Sequence, residues 1–198
     1  MVFVSVIILA AGESVRMGQP KLLMNWNNHT IVEQTIDNYL NSSVNETIVV
    51  MGYKAGEVEK AIGDRSVITV LNPHYAKGMS TSIIAGLDFV SVKARGILLA
   101  LADQPLLDKN IINRLIEAFD RSDKGIVVPV HKGKRGNPVI LDVKYRKELL
   151  ALTGDIGAKD IVERHPDDIL EIDAGEYALT DIDTPEDYRI LKKREKSY

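Results

Sequence analysis

Two basic side chains, Arg16 and Lys21, stand in one loop of mostly small residues: Ala10-Ala11-Gly12-Glu13-Ser14-Val15-Arg16-Met17-Gly18-Gln19-Pro20-Lys21. The run before it, residues 2–9, is short, apolar and β-branched, the composition of a buried strand. A strand feeding directly into such a loop is the layout of a polyphosphate site. Small residues let backbone N–H groups approach a phosphate closely, and the turn forms an anion-binding concavity. Arg16 and Lys21 add charge that backbone dipoles alone do not supply. An ordinary glycine-rich turn would account for Gly12 and Gly18, but gives no reason for two cations together. A Walker A loop does not fit, because five residues separate Gly12 from Gly18 and Gln19-Pro20 precede the lysine. The dinucleotide fingerprint G-x-G-x-x-G is missing as well.

Two acidic elements could complete such a site. Asp103 follows a fully apolar run, where a carboxylate is costly unless hydrogen-bonded, paired or bound to a metal. Magnesium is held by one or two carboxylates plus substrate phosphates, so one Asp at a strand end facing a phosphate loop is chemically sensible. Capping of the following turn is the competing role. In Asp181-Ile182-Asp183-Thr184-Pro185-Glu186-Asp187, period-2 spacing puts Asp181 and Asp183 on one side of an extended segment. Capping of the last helix is the alternative there. Between Asn72 and Ser82, Gly78 and the hydroxyls after it suit a helix N-terminus that contacts an anion or a nucleoside; the alternative is a routine N-cap by Ser80.

The elements that must position these residues alternate. Residues 46–51, 67–71, 96–101 and 125–130 are short apolar runs of the buried parallel-strand kind. Helical stripes lie between them: Ile31, Thr35, Ile36, Tyr39 and Leu40, then Ile111, Ile112, Leu115, Ile116 and Phe119. Residues 57–62 and 80–90 also read as helices. The expected fold class is α/β, a three-layer, doubly wound, mostly parallel sheet with helices on both faces. After a basic loop at 131–136 come a strand at 137–141, helices at 144–152 and 157–164, and strands at 168–172 and 178–182. A closing helix spans 185–193, with Thr184 as N-cap and Pro185 at its first position. Residues 1–198 are expected to form a single domain in which 131–175 contribute the second-substrate part. In such sheets ligands bind outside the carboxyl ends of the strands. The loop at 10–21, the segment at 72–82 and residues 102–105 all lie at such ends.

Composition narrows the chemistry. The chain has 198 residues, 45% hydrophobic and 27% charged, with a net charge of −3, which suits a globular protein and argues against duplex nucleic acid as a partner. The basic stretch at 192–196 reads as a solvated helix end. There is no cysteine, which removes disulfides, iron–sulfur clusters, thiolate zinc sites and a Cys nucleophile. His29, His74, His131 and His165 are scattered, with no metal-ligand spacing. No apolar run approaches the roughly 18 residues of a membrane helix, and no basic, then apolar, signal segment opens the chain. A cytoplasmic protein without a membrane partner is expected.

Residues 9–21 match throughout the signature of nucleotidyltransferases with a MobA-like fold, roughly L-A-[AG]-G-x-[SG]-x-R-[ML]-G-x-x-K, and so resemble that family. The resemblance extends from Val4 to about Leu191 and implies a Rossmann-like nucleotidyltransferase fold. It implies a nucleotide site made of Leu9, Ala10, Ala11, Gly12, Arg16, Lys21, Asn72, Gly78, Ser80 and Ser82. Arg16, Lys21 and Asp103 are the implied catalytic residues. Asp103-Gln104-Pro105 resembles the family's Asp-x-Pro metal element, and Asp183 falls on the second ligand of its late [ND]-x-[ND]-T-P-E-D element. Asp181 is the less favoured of the two late acids. Arg135-Gly136-Asn137-Pro138 resembles an R-G-x-P loop beside the second substrate. Gly154, Asp155 and Gly157 belong to a G-D-x-G-A-R element of the same region. Here Lys159 replaces the usual Arg and loses its bidentate fork. The turn Asn25 to Asn28 has Asn where relatives usually have Gly.

Within the family, Ala10-Ala11-Gly12, Asp103-Gln104-Pro105 and residues 154–158 look like the molybdenum cofactor cytidylyltransferases. That branch implies Mg2+, an NTP (CTP favoured) and a phosphorylated acceptor, the molybdopterin-type cofactor, with a molybdoenzyme as eventual recipient. The rival readings are a guanylyltransferase, an NTP transferase acting on a sugar or polyol phosphate, and a non-catalytic cofactor-delivery protein.

Overall fold

A computed structural model describes residues 2–195. Strand β1 (Val4–Ala10) sits at the centre of the main sheet. On one side it pairs in parallel with β4 (Glu46–Met51), which pairs with the edge strand β5 (Ile68–Leu71). On the other side it pairs in parallel with β6 (Gly96–Leu101). Beyond β6 lies β9 (Val139–Asp142), antiparallel to β6 and to β7 (Ile126–His131). β10 (Ile169–Asp173) runs parallel to β7, and the short β8 (Lys134–Arg135) folds back on it. A small hairpin of β2 (Asn25–Trp26) and β3 (His29–Thr30) stands apart; its Asn27 has φ +54°, the left-handed geometry that Asn tolerates.

The alternation along β1 explains the three layers. Val4, Val6, Ile8 and Ala10 enter one core, and Ile7 enters the other, as a period of two demands. The first core is closed by α1 (Ile31–Leu40), α2 (Ala55–Ile62), α4 (Lys109–Arg121) and Leu191 of α7 (Pro185–Glu195). The second is closed by α3 (Met79–Leu87), α5 (Arg146–Leu150) and α6 (Lys159–Arg164). Helices therefore cover both faces of a mostly parallel sheet, and the protein has the α/β Rossmann-like fold. Local caps hold the helix starts. Thr30 and Glu33 form a capping box on α1, and Thr184 and Asp187 bond reciprocally at the start of α7, which confirms the Thr184 cap.

Some expected elements differ. Residues 178–182 are not a strand. A 3-10 turn covers Glu176–Leu179, and the segment after it is extended but unladdered. The buried Ala178 of the turn and Ile182 beyond it imitate strand alternation, but the backbone bonds here go singly to different loops: Asn137 N–H to the Ala178 carbonyl, and Ile182 N–H to the Asp103 carbonyl. Helix α3 stops at Leu87 and continues only as turns. The region 144–152 divides into a 3-10 turn, Val143–Tyr145, and α5. Helix α6 begins at Lys159 rather than 157. Lys196, the end of the basic stretch, lies outside the described residues.

Candidate active site

The sheet order reverses at β1 and β6, and a crevice opens outside their carboxyl ends, where this fold class binds ligands. A cleft of about 740 Å³ lies there. Backbone bonds fix its two walls close together, because Ala102 N–H donates to the Leu9 carbonyl at 3.2 Å and Tyr53 N–H donates to the Ala11 carbonyl at 3.1 Å.

The loop after β1 is held by apolar anchors at each end. Met17 and Leu22 are buried, one in the 3-10 turn Val15–Met17 and the other in the turn Lys21–Leu23. Gly18 lies between them at φ +67°, a conformation that suits glycine. Anchoring Met17 leaves Arg16 in the cleft, 71% exposed. Anchoring Leu22 turns Lys21 inward to 14% exposure. Lys21 Nζ donates to Asp103 Oδ2 and, at 2.9 Å, to Asp183 Oδ1. Arg16 Nη2 pairs with Asp183 Oδ2 at 2.8 Å. Four residues from three distant segments thus form one charged knot at the floor of the cleft.

The charges answer to burial and to one another. Burial opposes the Lys21 ammonium, but Asp103 and then Asp183 outweigh it and raise its pKa. Burial pushes the Asp103 carboxyl up, against the pull of Lys21. Burial works in the same direction on Asp183, but there Lys21 and Arg16 prevail and its pKa is lowered. Asp181, which also lines the cleft, is pushed up to about 6 by burial first and then by the nearby Asp103 carboxylate.

The donor set suits a divalent cation. Asp103 and Asp183 converge on one nitrogen, and Asp103 Oδ1 is buried with no hydrogen-bond partner among the described residues. Among the described residues no cluster of three His, Cys, Asp or Glu could hold a metal unaided. Two hard carboxylates, with substrate phosphates supplying further oxygens, are a magnesium- or manganese-type environment.

Of the expected nucleotide residues, Leu9, Ala11, Gly12, Arg16, Lys21, Gly78 and Ser82 line the cleft. Ala10 is buried as the last residue of β1. Asn72 and Ser80 are buried behind the wall: Asn72 Nδ2 donates to the Thr81 and Ser82 hydroxyls at 2.9 Å, and Ser80 Oγ donates to the Gly154 carbonyl at 2.7 Å. The α3 N-terminus already carries partners from the chain itself. Met79 N–H donates to Asp155 Oδ1 at 3.2 Å, and Ser80 N–H to the Gly154 carbonyl. Gly154, Asp155 and Gly157 are therefore brought against α3, with Asp155 in the cleft lining. Arg135, Gly136, Asn137 and Pro138 are not in that lining. Arg135 pairs with Glu171 at 2.8 Å, and Gly136 and Asn137 pack on the Ala178 backbone. Lys159 pairs loosely with Glu163 on its own helix, at 3.7 Å.

In the sequence Gln104 counts only as part of Asp103-Gln104-Pro105, with no contact of its own expected. Its side chain is buried, and Nε2 donates to Asp181 Oδ1 at 2.7 Å. The available signal was its place between a buried strand and Pro105. Tyr75 and Lys77 of the 3-10 turn Tyr75–Lys77, and Met79 at the start of α3, also line the cleft.

The chain resembles known proteins over most of its length. The chain is 30% identical over 189 residues to the molybdenum cofactor cytidylyltransferase of Escherichia coli (strain K12), covering 95% of each chain. It is 29% identical over 199 residues to the nicotine blue oxidoreductase of Paenarthrobacter nicotinovorans, covering 93% of this chain and 95% of the other. The manganese complex of Rv0371C from Mycobacterium tuberculosis H37Rv superposes with a TM-score of 0.82 at 27% identity, covering 97% of this chain and 99% of that one. Residues 6–169 match the model of the MobA-like NTP transferase domain, and the chain belongs to that family of nucleotidyltransferases.

Proposed function

We propose that the protein transfers CMP from CTP to the terminal phosphate of a molybdopterin-type cofactor, forming a cytosine dinucleotide and releasing pyrophosphate. The observation that carries this reading is the Lys21 ammonium held by Asp103 and Asp183 at the floor of the cleft, with Arg16 beside it. Cations for a triphosphate and hard carboxylates for a divalent ion stand within one hydrogen-bonded group. The likeness to the E. coli cytidylyltransferase supports the choice of nucleotide and acceptor. Residues 9–21 lack a dinucleotide fingerprint, so a nicotinamide redox reading has no binding loop to rest on.

In-line attack by an acceptor phosphate oxygen on the α-phosphorus needs no covalent enzyme intermediate, and catalysis is then positioning and charge neutralisation. Backbone groups of Ala11 and Gly12, which line the cleft, would face the base, with the buried Ala10 behind them. Lys21 and Arg16 turn from carboxylate to phosphate oxygens as the triphosphate enters, and stabilise the departing pyrophosphate. Asp103 and Asp183 would hold Mg2+, which when bound supplies Lewis-acid neutralisation of phosphate charge. Asp155 and Gly154, bonded to the start of α3, shape the wall toward the acceptor.

The test is pyrophosphate release with magnesium, molybdopterin-type cofactor and CTP, GTP, ATP or UTP in turn, with mass detection of the product. A cytosine dinucleotide from CTP alone supports the reading. Turnover with GTP moves the protein to the guanylyl branch. Silence with every NTP points to sugar or polyol phosphate acceptors, and then to a binding-only role.

A further inference from the structure

Three polar ties join the residues after β6 to the segment 178–183. Ile182 N–H donates to the Asp103 carbonyl at 3.2 Å. Gln104 Nε2 donates to Asp181 Oδ1 at 2.7 Å and approaches the Ala178 carbonyl at 3.5 Å. That carbonyl also accepts from Asn137 N–H at 2.9 Å. Two of the three ties belong to one side chain. Gln104 is 1% exposed, and its Oε1 is buried with no partner among the described residues.

A buried amide with half of its hydrogen-bonding capacity unmet lowers stability relative to an apolar side chain of the same size. The ties it does make have a geometric result. Asp183 reaches the cleft floor only if segment 178–183 keeps its register against Asp103. Met or Leu at position 104 would fill the space but hold nothing.

We infer that Gln104 is a positioning residue: through Asp181 it holds the segment bearing Asp183 in register with Asp103, so that the two carboxylates meet at one cation. The inference rests on the proposed roles of Asp103 and Asp183 as ligands.

The test compares wild type with Gln104→Met, Asp181→Ala, Asp181→Asn and the double variant Gln104→Met/Asp181→Ala. Mn2+ binding in the presence of CTP is read by electron paramagnetic resonance, alongside kcat, the KM for CTP, and Tm. Gln104→Met is expected to keep or raise Tm, to weaken Mn2+ binding by about tenfold, the low end for residues that orient metal ligands, and to lower kcat with the KM for CTP nearly unchanged. Asp181→Ala should show the same loss, the double variant no more than either single one, and Asp181→Asn, which keeps an oxygen for Gln104, should recover most of the Mn2+ binding. Wild-type Mn2+ affinity in Gln104→Met, or additive losses in the double variant, would overturn the inference. So would a fall in Tm that accounts for the whole loss of activity. Mn2+ binding needs no acceptor and no turnover, so a wrong acceptor in the proposed function leaves the metal affinities, and what they say of Gln104, unchanged.

Discussion

Lys21 and Asp103 stand 82 positions apart in sequence and form an ion pair where the strand order of the sheet reverses. Asp183 bonds the same ammonium from a third segment. Both Lys21 and Asp103 are largely buried, at 14% and 13% exposure. Removing one partner therefore leaves the other charge in poor solvent, and the two deletions are not equivalent. Lys21→Ala strips Asp103 of its partner, whereas Asp103→Ala leaves Lys21 still bonded to Asp183.

Lys21→Ala should accordingly cost roughly 3 kcal/mol of folding stability, the scale for breaking a buried pair, and Asp103→Ala clearly less. Urea unfolding of both variants checks the order. Equal stabilities would show that the pair is better solvated than its exposure implies.

Activity should follow a different order. Asp103→Ala is expected to cut turnover by at least about 10², the scale for losing one major electrostatic stabiliser. Lys21→Ala should weaken NTP use. Near-normal turnover by a folded Asp103→Ala protein would remove Asp103 from the chemistry, and unchanged kinetics in Lys21→Ala would remove Lys21.

Much of this arrangement is legible in the sequence. Residues 9–21 carry the phosphate loop in local spacing alone, and short β-branched runs between helical stripes carry the doubly wound sheet. Asp103 is readable because a carboxylate after six apolar residues must have a reason. What escapes is non-local. Ala178 and Ile182 are buried like strand residues, but their backbone partners lie in two separate loops, which periodicity does not encode. Asp155 caps a helix some 76 positions earlier, so the α3 N-terminus expected to meet an anion meets the chain's own carboxylate. Gln104 is legible only as the middle of Asp103-Gln104-Pro105; its bond to Asp181, 77 positions later, has no pattern in the sequence.

Two cleft glycines should respond differently to alanine. Gly78 sits at φ +111°, and a Cβ there would fall 2.4 Å from the Gly154 backbone. Both strain and overlap oppose Gly78→Ala, which should lose about 1–3 kcal/mol together with much of its activity. A Cβ on Gly12 meets nothing within 4 Å, so Gly12→Ala should fold within about 0.5 kcal/mol of wild type. Its defect should be a raised KM for the nucleotide with kcat nearly kept. Thermal unfolding and steady-state kinetics on the two proteins decide the matter, and a Gly12→Ala variant with wild-type KM would place the base elsewhere.

Acid stability depends on a cluster at the opposite end of the sheet. Asp168 accepts from Lys144 Nζ at 2.7 Å, from the Tyr145 hydroxyl, and from Gly125 N–H at 3.0 Å. Burial alone would raise its pKa, but Lys144, Tyr145 and the Gly125 amide outweigh it and lower the carboxyl from 3.8 to about 2. A carboxyl with a folded pKa below its unfolded value stabilises the fold above the unfolded value. That contribution is lost as pH falls from about 4 through about 2. Asp168→Asn should therefore be less stable than wild type by about 2 kcal/mol at neutral pH, and the gap should close near pH 2. Urea midpoints for both proteins across that range measure it. A gap that stays constant down to about pH 2 would mean that the carboxylate charge contributes nothing and that only the hydrogen-bond geometry matters.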